Sequence, residues 1–186
     1  MSKLIIKPTS FDGLSLVKRV PIRDNRGYFI RLFCREELSC LGWDTPVAQV
    51  NLSYSAQKGT IRGMHFQHPP FSEKKLLLCL KGSIMDIVID IRTGSPTFLQ
   101  YYTVILSEEN SLGLHIPEGF AHGFQTMTDS VELLYFHSAV YSPSAEDGLN
   151  PLDPKLALPW PLPHTAISER DEKHPVLNQN FKGIQP

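Results

Sequence analysis

The sequence predicts an all-β fold, a barrel or a sandwich, on three observations. Short segments rich in strand-forming residues recur at similar intervals, turn signals separate them, and helix signals are few. With 12 glycines and 15 prolines in 186 residues the punctuation is dense: Asp24-Asn25-Arg26-Gly27, Lys58-Gly59, Lys81-Gly82, Gly94-Ser95-Pro96 and Pro117-Glu118-Gly119. The length suits one domain, and neither a linker-like change of composition nor an internal repeat divides it, so residues 1–186 read as a single domain.

Taken in order, Arg35-Glu36-Glu37-Leu38 signals one short helix. Leu76-Leu77-Leu78-Cys79-Leu80 and residues 84–92 read as strands joined in a hairpin across Lys81-Gly82-Ser83. In the second strand Met85, Ile87, Ile89 and Ile91 share one face, and Ile84, Asp86, Val88 and Asp90 the other, because side chains alternate along a strand. Residues 98–106, 112–116 and 131–140 continue the series, and Asp153-Pro154-Lys155-Leu156 adds a turn. Beyond Tyr141 come Pro143, Pro151, Pro154, Pro159, Pro161 and Pro163, so the C-terminal segment is expected to wrap irregularly.

Composition removes several function classes. Eighteen Lys and Arg against 19 Asp and Glu leave a net charge of −1, without the basic footprint of a nucleic-acid binder. Apolar runs fall far short of the ~20 residues of a membrane span. Met1-Ser2-Lys3-Leu4-Ile5-Ile6-Lys7 has a basic start but too little apolar chain for a secretory leader. Cys34, Cys40 and Cys79 form no CxxC pair and read as thiols of a reducing compartment. A soluble cytoplasmic protein is expected, with neither nucleic acid nor membrane as partner.

Four clusters can carry chemistry. The first is Gly59-Thr60-Ile61-Arg62-Gly63-Met64-His65-Phe66-Gln67, followed by Lys74 and Lys75. Arg62 and His65, three apart, cannot share a face of a flat strand, whereas a bulge near Gly63 brings both to one cavity. Otherwise Arg62 is a surface charge and His65 a satisfied strand histidine. The second is His115-Ile116-Pro117-Glu118-Gly119-Phe120-Ala121-His122-Gly123-Phe124, whose Pro-x-Gly-x-x-His portion resembles the second motif of the cupin superfamily. A metal-binding cupin also needs a first motif of His-x-His. Here Gln67 stands at the second histidine and His68 is misspaced, so no metal is expected. The third pairs Tyr135 with Tyr141, and the fourth is Ser168-Glu169-Arg170-Asp171, charges that ordinarily face solvent.

In this order and spacing the clusters resemble the dTDP-4-dehydrorhamnose 3,5-epimerase family. The pattern runs through Asp24-x-Arg26-Gly27-x-Phe29, Gln49-x-Asn51-x-Ser53, the Arg62 to Gln67 motif, Lys75-Leu76, Asp86, Asp90-Ile91-Arg92, the His122 motif, Tyr135, Tyr141-x-Pro143, Asp153-Pro154 and Ser168-x-x-Asp171, then Pro175-x-Leu177. The resemblance implies a cupin-type jelly roll, a homodimer exchanging N-terminal strand material, and cofactor-free proton transfer on a nucleoside-diphosphate 4-keto-6-deoxy sugar. It also implies roles: His65 the base, Asp171 its orienting carboxylate, Lys75 the enolate stabiliser and Tyr135 the acid. Arg62 is expected to hold the diphosphate and His122 to line the sugar pocket. Gln49, Asn51, Arg26 and Phe29 are carried over to the nucleotide, some from a neighbouring subunit, and Arg170 joins the binding set.

Four positions depart from the family pattern. Arg31 stands for an acid, Glu73 for the usual Gln, Phe136 for Lys and Pro151 for Trp. They leave open a CDP- or GDP-linked substrate or inversion at one centre only. A metal-dependent cupin, a sugar 3,4-ketoisomerase and a non-catalytic nucleotide-sugar binding module are the rival readings.

Overall fold

In the computed structural model, which describes residues 3–186, the strands follow one another in short steps. They are β1 (Leu4–Pro8), β2 (Ser15–Arg19), β3 (Ile22–Asp24), β4 (Gly27–Phe29), β5 (Gln49–Ser55), β6 (Ile61–Gln67), β7 (Lys75–Lys81), β8 (Ser83–Asp90), β9 (Tyr101–Ser107), β10 (Leu112–Ile116), β11 (Phe120–Thr126), β12 (Val131–His137) and β13 (Glu146–Gly148). Helix α1 (Arg35–Leu38) lies between β4 and β5 as expected, and α2 (Glu169–Lys173) lies in the tail. Met1 and Ser2 of the leader-like stretch lie outside the described residues; Leu4-Ile5-Ile6 belongs to β1. Among the described residues no helix is long and apolar enough to cross a membrane.

Pairing is nested. β5 pairs with β12, β6 with β11, β7 with β10 and β8 with β9, all antiparallel. Eight strands wound this way make a jelly roll, and the winding deals them alternately into two sheets. One sheet runs β1-β2-β10-β7-β12-β5, the other β13-β6-β11-β8-β9. The all-β expectation is borne out.

The hairpin across Lys81-Gly82-Ser83 is not. β7 and β8 belong to different sheets, and the chain turns a corner between them. A short glycine loop between two apolar strands reads the same in either case; burial decides. Leu76, Leu77, Leu78 and Cys79 are all buried, as are Ile87, Val88 and Ile89, so each strand is covered on both faces and sits inside its own sheet. Two boundaries also move: β9 begins at Tyr101 after a turn, and β12 ends at His137.

Three apolar clusters explain the double burial. Between the sheets, Leu77, Cys79, Ile84, Val88, Phe120, Phe124 and Leu133 pack with Phe11 and Leu14. Outside the five-stranded sheet, Met64, Phe66, Ile87, Ile89 and Ile91 are covered by Leu149, Leu156, Leu177 and Ile184 of the irregular tail. Outside the six-stranded sheet, Leu76 and Leu78 meet Leu38 of α1 and Trp43. The two faces of β8 are therefore those that alternation predicts, with Asp86 directed inward.

Candidate active site

Inward-facing alternation places polar side chains at one end of the space between the sheets. Gln49, Asn51 and Ser53 of β5, Arg62 and His65 of β6, Lys75 of β7, His122 of β11, and Tyr135 and His137 of β12 line one cavity of about 260 Å³. Arg62 reaches it because β6 is bulged. His122 opposes His65, but Phe124 opposes Arg62, so two residues of β11 span three of β6. Gly63 permits this. Its φ is +120°, and a Cβ there would lie 2.5 Å from the Gly123 Cα and 2.6 Å from the His122 carbonyl oxygen.

His65 and Asp171, 106 positions apart, form a dyad: His65 Nε2 lies 2.9 Å from Asp171 Oδ1. A carboxylate only accepts and the Arg170 guanidinium, 3.0 Å from the same nitrogen, only donates; the shorter Asp171 pairing puts the proton on Nε2, leaves Arg170 as a charged neighbour rather than a hydrogen-bond partner of that nitrogen, and makes Nδ1 the basic one. Asp171 Oδ2 accepts from the Gly63 N–H at 3.0 Å, tying the dyad to the bulge. Helix α2 presents the carboxylate, with Ser168 as N-cap accepting from the Asp171 N–H. Burial pushes the Asp171 carboxyl up, but its hydrogen bonds to His65 and Gly63 outweigh burial and hold it well below the usual carboxylate range. Burial pulls His65 below an ordinary imidazole despite Asp171, with Lys75 and Arg170 acting in the same direction as burial. The ring is therefore neutral near pH 7 and able to take a proton.

Lining the same cavity from the other sheet is Tyr135 of β12. Burial holds the Tyr135 phenol well above its ordinary range, so it keeps its proton; Ser53 donates to its oxygen at 3.4 Å. His122 meets the Tyr135 ring edge-on at 6.4 Å and donates from Nε2 to Asp86 Oδ2 at 2.8 Å. The cation is Lys75, whose Nζ lies 3.1 Å from Glu73 Oε1. Arg62 is anchored through Ser55 Oγ and the Tyr54 carbonyl. Arg170 sits at the rim, Nη2 3.0 Å from His65 Nε2, held by two 2.9 Å bonds to Glu146.

Arg26 and Phe29 are not brought to this cavity. They sit on the exposed β3–β4 hairpin, Arg26 paired with Asp24 at 2.6 Å and Phe29 lying under the Lys3 ammonium. The fold adds Glu146, His137 and, as a lining residue, Glu73. His137 had a legible signal, lying two residues beyond Tyr135 on the same face, whereas nothing local marked Glu146. The surface-charge reading of residues 168–171 fails for Asp171, which is buried. Of the four departures only Glu73 lines the cavity. Arg31 is paired with Glu37, Phe136 stacks on Phe33 outside the sheet, and the Pro151 carbonyl accepts from the Trp160 indole at 2.8 Å.

Among the described residues one group could draw a metal ion: the ligand atoms of His65, Asp171 and His174 lie within 4.8 Å of one another. The Arg170 guanidinium already stands at the same His65 nitrogen, and Asp171 is committed to His65 and Gly63, so the donor set suits a proton better than a second cation. Gln67, at the missing metal-ligand position, is spent on backbone ties to Ser142 and Phe71.

A part-buried imidazole paired with a carboxylate, an ammonium and a part-buried phenol around one cavity of a jelly roll are the groups an isomerase needs to move protons on and off carbon. Residues 8–179 match the family described as dTDP-4-dehydrorhamnose 3,5-epimerase. A dTDP-4-dehydrorhamnose 3,5-epimerase of Sinorhizobium fredii is 36% identical over 178 residues, covering 95% of this chain and 91% of the relative. The solved dTDP-6-deoxy-D-glucose-3,5-epimerase of Legionella pneumophila, in complex with dTDP-4-keto-L-rhamnose, is 35% identical and superposes with a TM-score of 0.91, covering 98% of both chains. A 3'-monoepimerase of Streptomyces bikiniensis, in complex with dTDP-quinovose, is 35% identical with a TM-score of 0.85, covering 91% of this chain and 86% of that one. The chain belongs to the dTDP-4-dehydrorhamnose 3,5-epimerase family, whose members serve deoxysugar biosynthesis.

Proposed function

We propose that this protein inverts C3, C5 or both in a nucleoside-diphosphate 4-keto-6-deoxy sugar, with dTDP-4-keto-6-deoxyglucose the substrate to test first. The observation that carries the proposal is the opposed pair, His65 with Asp171 and Tyr135, with Lys75 between the same walls. A ketone at C4 acidifies the neighbouring C–H bonds. His65 Nδ1 takes the proton, the C–H electron pair moves into an enolate, and Lys75 stabilises the charge developing on the C4 oxygen. Tyr135 returns a proton to the opposite face of that carbon, which inverts it, and solvent restores both side chains. No electrons leave the sugar, so the cycle balances without a redox cofactor. Arg62 holds the diphosphate, His122 lines the sugar pocket, and Gln49, Asn51 and Arg170 complete the binding set.

The protein acts as a homodimer in which Arg26 and Phe29 reach the partner's nucleotide. Supporting this, Val50, Leu52 and Tyr54 form an exposed apolar stripe on β5, and Ile22, Tyr28 and Phe29 leave the hairpin apolar and exposed. Three free cysteines suit the reducing cytoplasm. The test is incubation with dTDP-4-keto-6-deoxyglucose in deuterated water, following the C3 and C5 protons. Exchange at both sites, abolished by His65→Ala, supports a 3,5-epimerase; exchange at one site narrows the outcome to a monoepimerase. If the dTDP, CDP and GDP keto sugars all fail to exchange, the enzyme reading is refuted.

A further inference from the structure

Beside the reacting residues lie two side chains that the proton-transfer scheme leaves idle, Glu73 and His137. Glu73 Oε1 is 3.1 Å from Lys75 Nζ, and Glu73 Oε2 accepts from His137 Nδ1 at 2.7 Å. The three side chains are each only about a tenth exposed (11%, 10% and 11% for Lys75, Glu73 and His137). The His137 ring is also nearly parallel to that of Tyr135, 19° between planes and 6.0 Å between centroids. We infer that Glu73 and His137 are positioning residues that meter the positive charge Lys75 presents to the forming enolate, His137 by keeping one oxygen of the Glu73 carboxylate occupied.

The reasoning is electrostatic. An ammonium stabilises an enolate in proportion to the field it projects, and a buried carboxylate 3.1 Å away opposes that field with little screening. A carboxylate with a donor on its far oxygen is drawn towards that donor and neutralised in part, so less of its charge bears on Lys75. Burial opposes ionisation of Glu73, but Lys75 and His137 together outweigh it and hold the carboxyl below its ordinary range, so all three groups are engaged at once. His137 pairs with Lys75 on β7 and with neutral Gln49 on β5, and the Glu73 carboxylate and the Tyr135 ring stand against it. His137 Nε2 is buried without a partner, which leaves Nδ1 as the working nitrogen.

The role rests on the function proposed above, because it concerns the enolate that Lys75 would stabilise. Three variants separate charge metering from simple packing: His137→Phe keeps a ring against Tyr135 and removes the donor, His137→Gln keeps a donor, and the double variant His137→Phe with Glu73→Gln also removes the anion. Kinetics on dTDP-4-keto-6-deoxyglucose should show kcat falling roughly tenfold in His137→Phe, a fraction of the ~10²–10³ lost with a whole oxyanion donor. KM should move by less than about twofold, because the interaction exists only in the transition state. His137→Gln and the double variant should each recover most of the loss. A double variant no faster than His137→Phe overturns the inference, as does a loss expressed in KM alone.

A second measurement does not depend on turnover. Long-range proton–nitrogen spectra of the full-length protein should show His137 protonated at Nδ1, with ring signals that shift in Lys75→Met through the shared carboxylate. If they do not respond, the inference falls even where the enzyme is active. If no keto sugar exchanges, the function proposal falls, and these signals alone decide whether the cluster is coupled as described.

Discussion

Replacing Asp171 by asparagine tests the logic of the dyad most directly. The carboxylate accepts from His65 Nε2 at 2.9 Å and from the Gly63 N–H at 3.0 Å, with the Arg170 Nε–H at a longer 3.5 Å. An amide side chain has one carbonyl oxygen and one NH₂. The Gly63 N–H is buried in the bulge and needs an acceptor, so the carbonyl turns to it and the NH₂ faces His65. That reverses the imidazole tautomer: Nε2 becomes an acceptor, and the proton moves to Nδ1, the nitrogen required as base. The loss in kcat should be about 10³–10⁴, the scale known for a carboxylate-to-amide change beside a catalytic histidine, equivalent to ~4–5 kcal/mol in the barrier. Stability should fall much less, by about 1 kcal/mol, because one charge-assisted hydrogen bond becomes a neutral one. The assay pairs the C3 exchange rate in deuterated water with urea unfolding. A folded variant whose kcat stays within a factor of about ten of the parent would refute the tautomer argument.

Other outcomes follow from the same geometry. The acid limb of kcat/KM should lie below pH ~6.5, because the neutral form of His65 is the active one and burial lowers its pKa, so activity persists to lower pH than with an unperturbed imidazole; a midpoint above that value would contradict the assignment. Tyr135→Phe should leave proton abstraction at C3 measurable by deuterium exchange while inversion falls by about 10²–10⁴, and equal losses in both would remove its role as the acid from the opposite face. Gly63→Ala should cost about 2–4 kcal/mol in urea unfolding, since a Cβ 2.5 Å from Gly123 must displace backbone at a φ of +120°; a stability matching the parent would exclude the bulge geometry. His115 is buried beneath Trp43 and pulled down to about 4 by burial, so the unfolded chain takes up its proton first. Stability should therefore decline as pH falls from ~6.5 towards 4, with a shallower decline in His115→Phe; parallel urea-midpoint curves would argue against that burial.

Much of this arrangement was legible locally, and what was hidden has a common cause. Alternation placed Asp86 on the face of β8 opposite Ile87 and Ile89, the turn residues separated the strands, and Arg35–Leu38 is the helix its residues indicate. Requiring a bulge at Gly63 to unite Arg62 and His65 needed only the period of a strand. The corner at Gly82 could not be read, because a hairpin and a sheet-to-sheet crossing share the same local turn chemistry and differ only in which distant strands cover each face. From its neighbours alone Asp171 looked like one more solvated charge, and only the family resemblance singled it out, because its burial comes from β6, over a hundred residues earlier. The four departures looked alike in sequence, yet Arg31, Phe136 and Pro151 engage partners away from the cavity while Glu73 joins Lys75 and His137 within it. Strand period, turns and motif spacing are properties of neighbouring residues and can be read along the chain. Which charges become partners, and which of them lose water and so gain or lose a proton, depends on the long-range winding of two sheets, and only the tertiary structure decides that.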